Sequence, residues 1–279
     1  MMTIHNTLSS LIPPKAWKAS VSLVIADDNK KELHQFGTGT LLKVADASLL
    51  VTAAHVVALA DDNKIPLCIA SGDSFTQLHG NWYCSSDNTP FDVAILRLPE
   101  DVASQLEDVS YVRLNDVEFG TDLSKGVFCL LGYPNRMSRP STPNNPTMQL
   151  KPFQYITYTH QEESDTLKGY QEKYHLLLHA EYDGTESGGP ADIFADHNGV
   201  PLQFPKDLGG ISGCAVWRLG NHDVPASEWG RNRPKIVAVQ TGVYSERKVI
   251  KATRWIAVST LINEAYPDLR PVLNLQYIE

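Results

Sequence analysis

An all-β fold follows from three observations on this sequence. Short apolar runs recur along the chain, among them "WKASVSLVIAD", "TGTLLKV", "KIPLCIAS", "GVFCLLGYP", "QYITYT" and "KIVAVQTGVY". They are rich in Val, Ile, Leu and Tyr, and Gly, Pro, Asn or Asp bounds many of them. Helical periodicity is rare. Strands of roughly four to eight residues, punctuated in this way, belong to a β-sandwich or barrel rather than to alternating β and α units.

Three segments are the exceptions. "VTAAHVVALA" accommodates one helical turn and "PEDVASQL" another. "STLINEAY", near the C-terminus, is the best helix candidate, with Ser259 or Thr260 as its cap. The stretch "NRMSRPSTPNNPTMQLKP" (135–152) is crowded with Pro, Ser and Asn, and reads as a solvated surface loop.

The chain's 279 residues suffice for one large all-β domain or two smaller units. Its net charge of −8 gives no footprint for a nucleic-acid backbone or an anionic membrane, and is read as solubility. No stretch approaches the ~18 uninterrupted apolar residues of a membrane span. The start "MMTIHNTLSSLIPPKAW" lacks the basic and apolar regions of a signal peptide. Cys68, Cys84, Cys129 and Cys214 are scattered, with no CxxC pair. Reduced thiols in a cytoplasmic setting are expected.

Three segments carry chemistry. "SLLVTAAHVV" leads a strand into small residues and then His55. "FDVAILRL" places Asp92 at the mouth of an apolar strand, where burial of an acid is costly unless it is hydrogen-bonded. "GGISGCAVWRL" sets Ser212 in a glycine turn, with Gly210 free to adopt conformations other residues resist. Singly, these are a core histidine, a strand-entry aspartate and a tight turn.

In the order His, Asp, Ser, with these flanks and "LLGYP" at 130–134, the sequence resembles the chymotrypsin/trypsin-like serine peptidases from about Val21 to Val258. The resemblance implies two packed antiparallel β-barrels and a short C-terminal helix. Residues 15–115 would form the barrel carrying His55 and Asp92, 116–258 the barrel carrying Ser212, and 259–279 the helix and tail. It implies a serine endopeptidase acting on protein or peptide substrates, without a cofactor or metal. Ser212 would be the nucleophile, His55 the base and Asp92 its orienting acid, and the amides of Gly210 and Ser212 the oxyanion hole.

A second serine competes. Ser187, in "TESGGP", matches the family's nucleophile segment letter for letter and lies nearer Asp92 in the chain. The flanks favour Ser212. An apolar run, "CAVWRL", follows it directly, as the family's nucleophile strand does, and by the same resemblance a second, "KIVAVQTGVY", would bring Gln240, Thr241 and Gly242 to the wall of the substrate pocket. Acids and a turn follow Ser187 instead. The pocket floor falls near Lys206 and Asp207, which leaves the side-chain preference open.

Two departures qualify the resemblance. Ile211 stands where secreted members carry the aspartate that receives a newly released N-terminal amine, so no such activation is expected and any regulation falls to a protein partner or to the 135–180 region. Cys214 replaces a glycine and reads as a small buried hydrophobe. His160, His175, His179 and His197 lack an accompanying Cys or acid signature, so no metal site is expected. The alternative to an active peptidase is a pseudoprotease that binds a peptide or partner through the same cleft.

Overall fold

The computed structural model describes residues 11–27, 32–71, 74–86, 89–119, 122–140, 148–160, 167–180, 193–196, 198–200, 202, 208–224, 228–229 and 233–273. Its strands form two sheets. The first contains β1 (Ser20–Asp27), β2 (Glu32–Val44), β3 (Ala47–Ala53), β4 (Leu67–Ser71), β5 (Ser74–Gln77), β6 (Trp82–Cys84), β7 (Val93–Arg97) and β8 (Val112–Arg113). The second contains β9 (Gly126–Gly132), β10 (Phe153–Tyr158), β11 (His175–His179), β12 (Ile193–Asp196), β13 (Ala215–Asn221), β14 (Lys235–Tyr244) and β15 (Val249–Arg254).

The hydrogen-bonded order is β5-β4-β1-β2-β3-β7-β6 in the first sheet and β11-β15-β14-β13-β9-β10-β12 in the second. Pairing is antiparallel throughout, apart from β8, which lies parallel to β2. An isolated bridge between Thr159 and Leu178 turns the β10 end of the second sheet toward β11. The expected all-β architecture is therefore present, as two mainly antiparallel sheets.

Strand periodicity explains why the runs are apolar on both sides. In β3, Leu49 and Val51 join a core shared by both sheets, while Leu50 faces the interior of the first. In β9, Val127, Cys129 and Leu131 join the shared core, while Phe128 and Leu130 face the interior of the second. Successive side chains point to opposite faces, and here both faces are covered. The result is three apolar clusters, one within each sheet and one between them.

The helices are α1 (Pro14–Ala19), α2 (Ala54–Asp62), α3 (Glu100–Gln105), α4 (Trp255–Ala265) and α5 (Arg270–Leu273). Helix α2 is longer than the single turn expected, because Val56, Val57 and Ala60 bury one of its faces. Helix α4 also corrects an expectation. It begins at Trp255, directly after β15, so neither Ser259 nor Thr260 caps it. Trp255, Val258, Leu261 and Ile262 form a helical stripe on the shared core. Ser259 is buried inside the helix, and Thr260 Oγ1 donates back to the Ile256 carbonyl at 3.0 Å. No described helix is long and apolar enough to cross a membrane.

The shared core sets the relation between the sheets. Trp217, 1% exposed, lies within it. Trp217→Ala is expected to cost about 3–5 kcal/mol, the range for deleting a buried aromatic side chain. Urea unfolding monitored by circular dichroism reads this, and a loss below about 1 kcal/mol would contradict the packing described.

Candidate active site

His55 and Asp92 meet because β3 and β7 are antiparallel neighbours. Ala53 pairs with Val93, so the residue after one strand lies against the residue before the other. The Ala54 N–H donates to the Asp92 carbonyl at 3.2 Å. The chain then turns into α2, with His55 in its first turn. The Asp92 carboxylate grips His55 twice: Oδ1 accepts the His55 backbone N–H at 3.0 Å and Oδ2 accepts Nδ1–H at 2.8 Å. An ionised carboxylate only accepts, so Nδ1 carries a proton, and in the neutral ring Nε2 is then left with its lone pair. The His55 side chain is 40% exposed and that of Asp92 28%, leaving the ring edge open to the cleft.

The Ser212 turn crosses onto the first sheet. The Ser212 carbonyl accepts the Thr38 N–H at 2.9 Å. The Gly210 carbonyl accepts Thr38 Oγ1–H and Gln35 Nε2–H, each at 2.9 Å. The Gly209 carbonyl accepts the Asn135 N–H at 2.8 Å. These bonds brace the Ser212 turn. Ile211 anchors in the apolar interior of the second sheet.

Two glycines make the crossing feasible. Gly213 has φ +94° and lies so close to Thr38 O and Thr52 Oγ1 that a Cβ would collide with both. Gly210 has φ +93°, and a Cβ there would meet Asn135 and Gln35. Thr52 lies three residues before His55, so the close approach of Gly213 draws the Ser212 turn onto the end of the strand that leads to His55. Among the described residues neither the Gly210 nor the Ser212 amide donates a hydrogen bond within the protein, and Ser212 Oγ makes none to His55.

Cys214 is fully buried against Ile211 and Val216, and burial pushes its thiol pKa up, as suits a small hydrophobe. Gln240 and Thr241 are buried, with Gln240 Nε2 donating to the Gly242 carbonyl at 3.0 Å and Thr241 Oγ1 lying 3.2 Å from Thr253 Oγ1. Gly242 is half-buried. Lys206, Asp207, Ser187 and His197 lie outside the described residues.

His175 has a role the sequence did not suggest. It is 3% exposed on β11, and its Nε2–H donates to the Pro90 carbonyl at 2.9 Å. Its Nδ1 accepts the Gln171 N–H at 2.9 Å. The Gln171 bond requires an unprotonated Nδ1, and burial holds the ring's pKa below the usual imidazole range. Thr253 Oγ1 donates to the next carbonyl, that of Phe91. The second sheet thus clamps the two residues before Asp92. His160 and His179 meet with Nδ1 atoms 3.4 Å apart, but no group of three or more metal-ligating side chains comes together among the described residues.

No family model and no curated protein matches this chain. Solved structures do. A Glu endopeptidase in complex with MPD aligns over 92% of this chain and 94% of its own, at 13% identity and a TM-score of 0.51. The active form of the Rv3671c protease from M. tuberculosis aligns over 93% and 84%, at 14% identity and a TM-score of 0.43. A structure from work on the coupled folding and binding of the intrinsically disordered Sesbania mosaic virus VPg protein aligns over 85% and 87%, at 17% identity and a TM-score of 0.45. The likeness to the Glu endopeptidase establishes the fold: this is a protein of the trypsin-like serine protease fold.

His175 gives a test of the clamp by pH. Its folded pKa is depressed, so its stabilising contribution is complete above the unfolded value of ~6.5 and is lost as pH falls through the folded value. His175→Leu leaves the Pro90 carbonyl and Gln171 amide unpaired and is expected to cost about 1–3 kcal/mol at pH 8. The gap between wild type and variant should narrow below pH ~6.5. Denaturant titrations at pH 8, 6.5 and 5 read it, and a gap that stays constant would remove the clamp.

Proposed function

We propose that this chain is a serine endopeptidase. The observation that carries the reading is the doubly held His55–Asp92 pair beside a braced Ser212 turn with two undonated amides. Ser212 Oγ attacks the scissile carbonyl as His55 Nε2 takes its proton. The oxyanion is met by the Gly210 and Ser212 amides, each such donor being worth roughly 3 kcal/mol of barrier. His55 then returns the proton to the leaving amine, and water releases the acyl group by the same route. Asp92 keeps the proton on Nδ1 and stabilises the imidazolium.

The reading includes a pocket wall at Gln240, Thr241 and Gly242. Thr241 to Tyr244 extends past the last β13 pairing, at Val239, so this length of β14 has β15 on one side and a strand edge on the other among the described residues. An extended peptide adds to such an edge through main-chain hydrogen bonds. Four unpaired cysteines accord with a cytoplasmic setting. The Thr38, Gln35 and Asn135 brace supports a loop that needs no released N-terminus.

A fluorophosphonate probe should label Ser212 in the intact chain, without prior cleavage. Ser212→Ala should abolish labelling and lower peptide hydrolysis by ~10⁴- to 10⁶-fold with the fold retained. Folded protein that stays unlabelled would favour the pseudoprotease reading. Labelling that survives Ser212→Ala and disappears in Ser187→Ala would move the nucleophile.

The base must be neutral to act. kcat/KM should therefore fall along a one-proton limb toward acid pH. Asp92→Asn removes the acceptor that fixes the tautomer and should lower the rate at neutral pH ~10⁴-fold. An acidic limb unchanged in Asp92→Asn would mean that the wrong groups have been assigned.

A further inference from the structure

Lys251 lies on β15 directly across from Gly242 of β14. Side chains alternate along β15. Ile250 and Ala252 enter the apolar interior of the second sheet, whereas Thr253 reaches the Phe91 carbonyl beside Asp92. Lys251 shares the face of Thr253 and so looks into the cleft between the sheets. Gly242 offers no side chain there, and the Lys251 stem occupies the space. Its Cε lies 3.5 Å, and its Cβ 3.9 Å, from where a Gly242 Cβ would be. The ammonium ends under the 167–170 turn, with Nζ 3.8 Å from the corresponding position on Gly169.

Lys251 is half-buried, yet among the described residues its ammonium makes no hydrogen bond and no ion pair. Burial pulls its pKa down, while the Asp92 carboxylate opposes that shift, and its charge in turn disfavours protonation of His175. A partly desolvated cation without a carboxylate is costly. It is also the electrostatic complement of an anionic ligand.

The cation stands within reach of a substrate. The Gly213 N–H donates to the Gln240 carbonyl at 2.8 Å, fixing β14 against the residue after Ser212. Gly242 follows two residues on, roughly 7 Å along the strand. The leaving amine must face His55, on the first sheet. The acyl half of the substrate therefore lies toward the second sheet, along the edge beside Gly242.

We propose that Lys251 is the specificity-determining cation of this cleft and selects peptides with a Glu or Asp side chain on the N-terminal side of the scissile bond. The proposal rests on the peptidase reading and adds the substrate class to it. A purely electrostatic service to Asp92 would instead affect all substrates alike.

The test uses fluorogenic peptides with one leaving group and Glu, Gln or Lys at each of the four positions before it. The readout is the ratio of kcat/KM values within each enzyme, which is insensitive to the fraction correctly folded. Wild type should prefer Glu over Gln by roughly tenfold at one position or more, as for an ion pair in a partly desolvated site. Lys251→Arg should keep that preference, Lys251→Met should reduce it to about twofold or less, and Lys251→Glu should shift it toward Lys. A wild type that labels with the fluorophosphonate but treats Glu and Gln equally overturns the proposal and leaves the peptidase reading standing. A preference that survives Lys251→Met, or a uniform fall on all peptides with the ratio kept, also overturns it. Wild type that fails to label removes the peptidase reading, and this proposal with it.

Discussion

Thr38 spends all of its polar atoms at the crossing between the two sheets. Its N–H binds the Ser212 carbonyl and its hydroxyl donates to the Gly210 carbonyl. The same oxygen accepts the Tyr133 N–H at 3.1 Å, and the Thr38 carbonyl accepts Thr52 Oγ1–H at 2.8 Å. One residue of β2 therefore connects the Ser212 turn, the "LLGYP" segment and the strand leading to His55. Thr38 and Thr52 are buried, and there an unpaired polar group would cost about 1–3 kcal/mol. Few other arrangements satisfy the same groups, and that limits where Ser212 can sit relative to His55.

Burial and polar bonding divide the work by scale. The shared apolar core, built from β3, β7, β9, β13 and α4, brings the sheets together without specifying direction. Hydrogen bonds supply the direction. Gly213 and Gly132 permit the approach, the latter lying 3.3 Å, measured from its Cβ position, from both Cys214 Cβ and Thr38 Oγ1. A side chain at Gly213 would push the Ser212 turn off the first sheet, and one at Gly132 would make its neighbours give by a few tenths of an ångström. The buried Cys214 thus belongs to the same steric constraint as its neighbours, and its thiol has no chemistry to perform there.

What the sequence revealed follows from how local each signal is. Strands were legible because their alternation is contained in a few residues, and the His55, Asp92 and Ser212 segments each carry their small or apolar flanks with them. Helix α4 was misplaced because Ser259 and Thr260 have the chemistry of caps, while the burial of Trp255 in a core assembled from both sheets decides the start. The loop brace was invisible because Gln35, Thr38 and Asn135 are distant from Ser212 in sequence. His175 invited comparison with metal ligands, but its role depends on Pro90, which only the fold brings near. Lys251 was likewise an ordinary strand residue until its opposite number proved to be a glycine.

Each sheet holds a segment that belongs to the other. The first sheet, through Thr38 and Gln35, holds the turn carrying Ser212. The second, through His175 and Thr253, holds the residues leading to Asp92. Three successive carbonyls, those of Pro90, Phe91 and Asp92, are all engaged, the last by Ala54. Asp92 itself has φ +50°, a left-handed conformation that costs of order 1–3 kcal/mol outside glycine and persists only where the surroundings over-determine it. Because the grip is reciprocal, a displacement of one sheet against the other disturbs the acid and the Ser212 turn together. The arrangement of His55, Asp92 and Ser212 is therefore set by the packing of the two sheets, and loosening the shared core would reach it before either sheet unfolded.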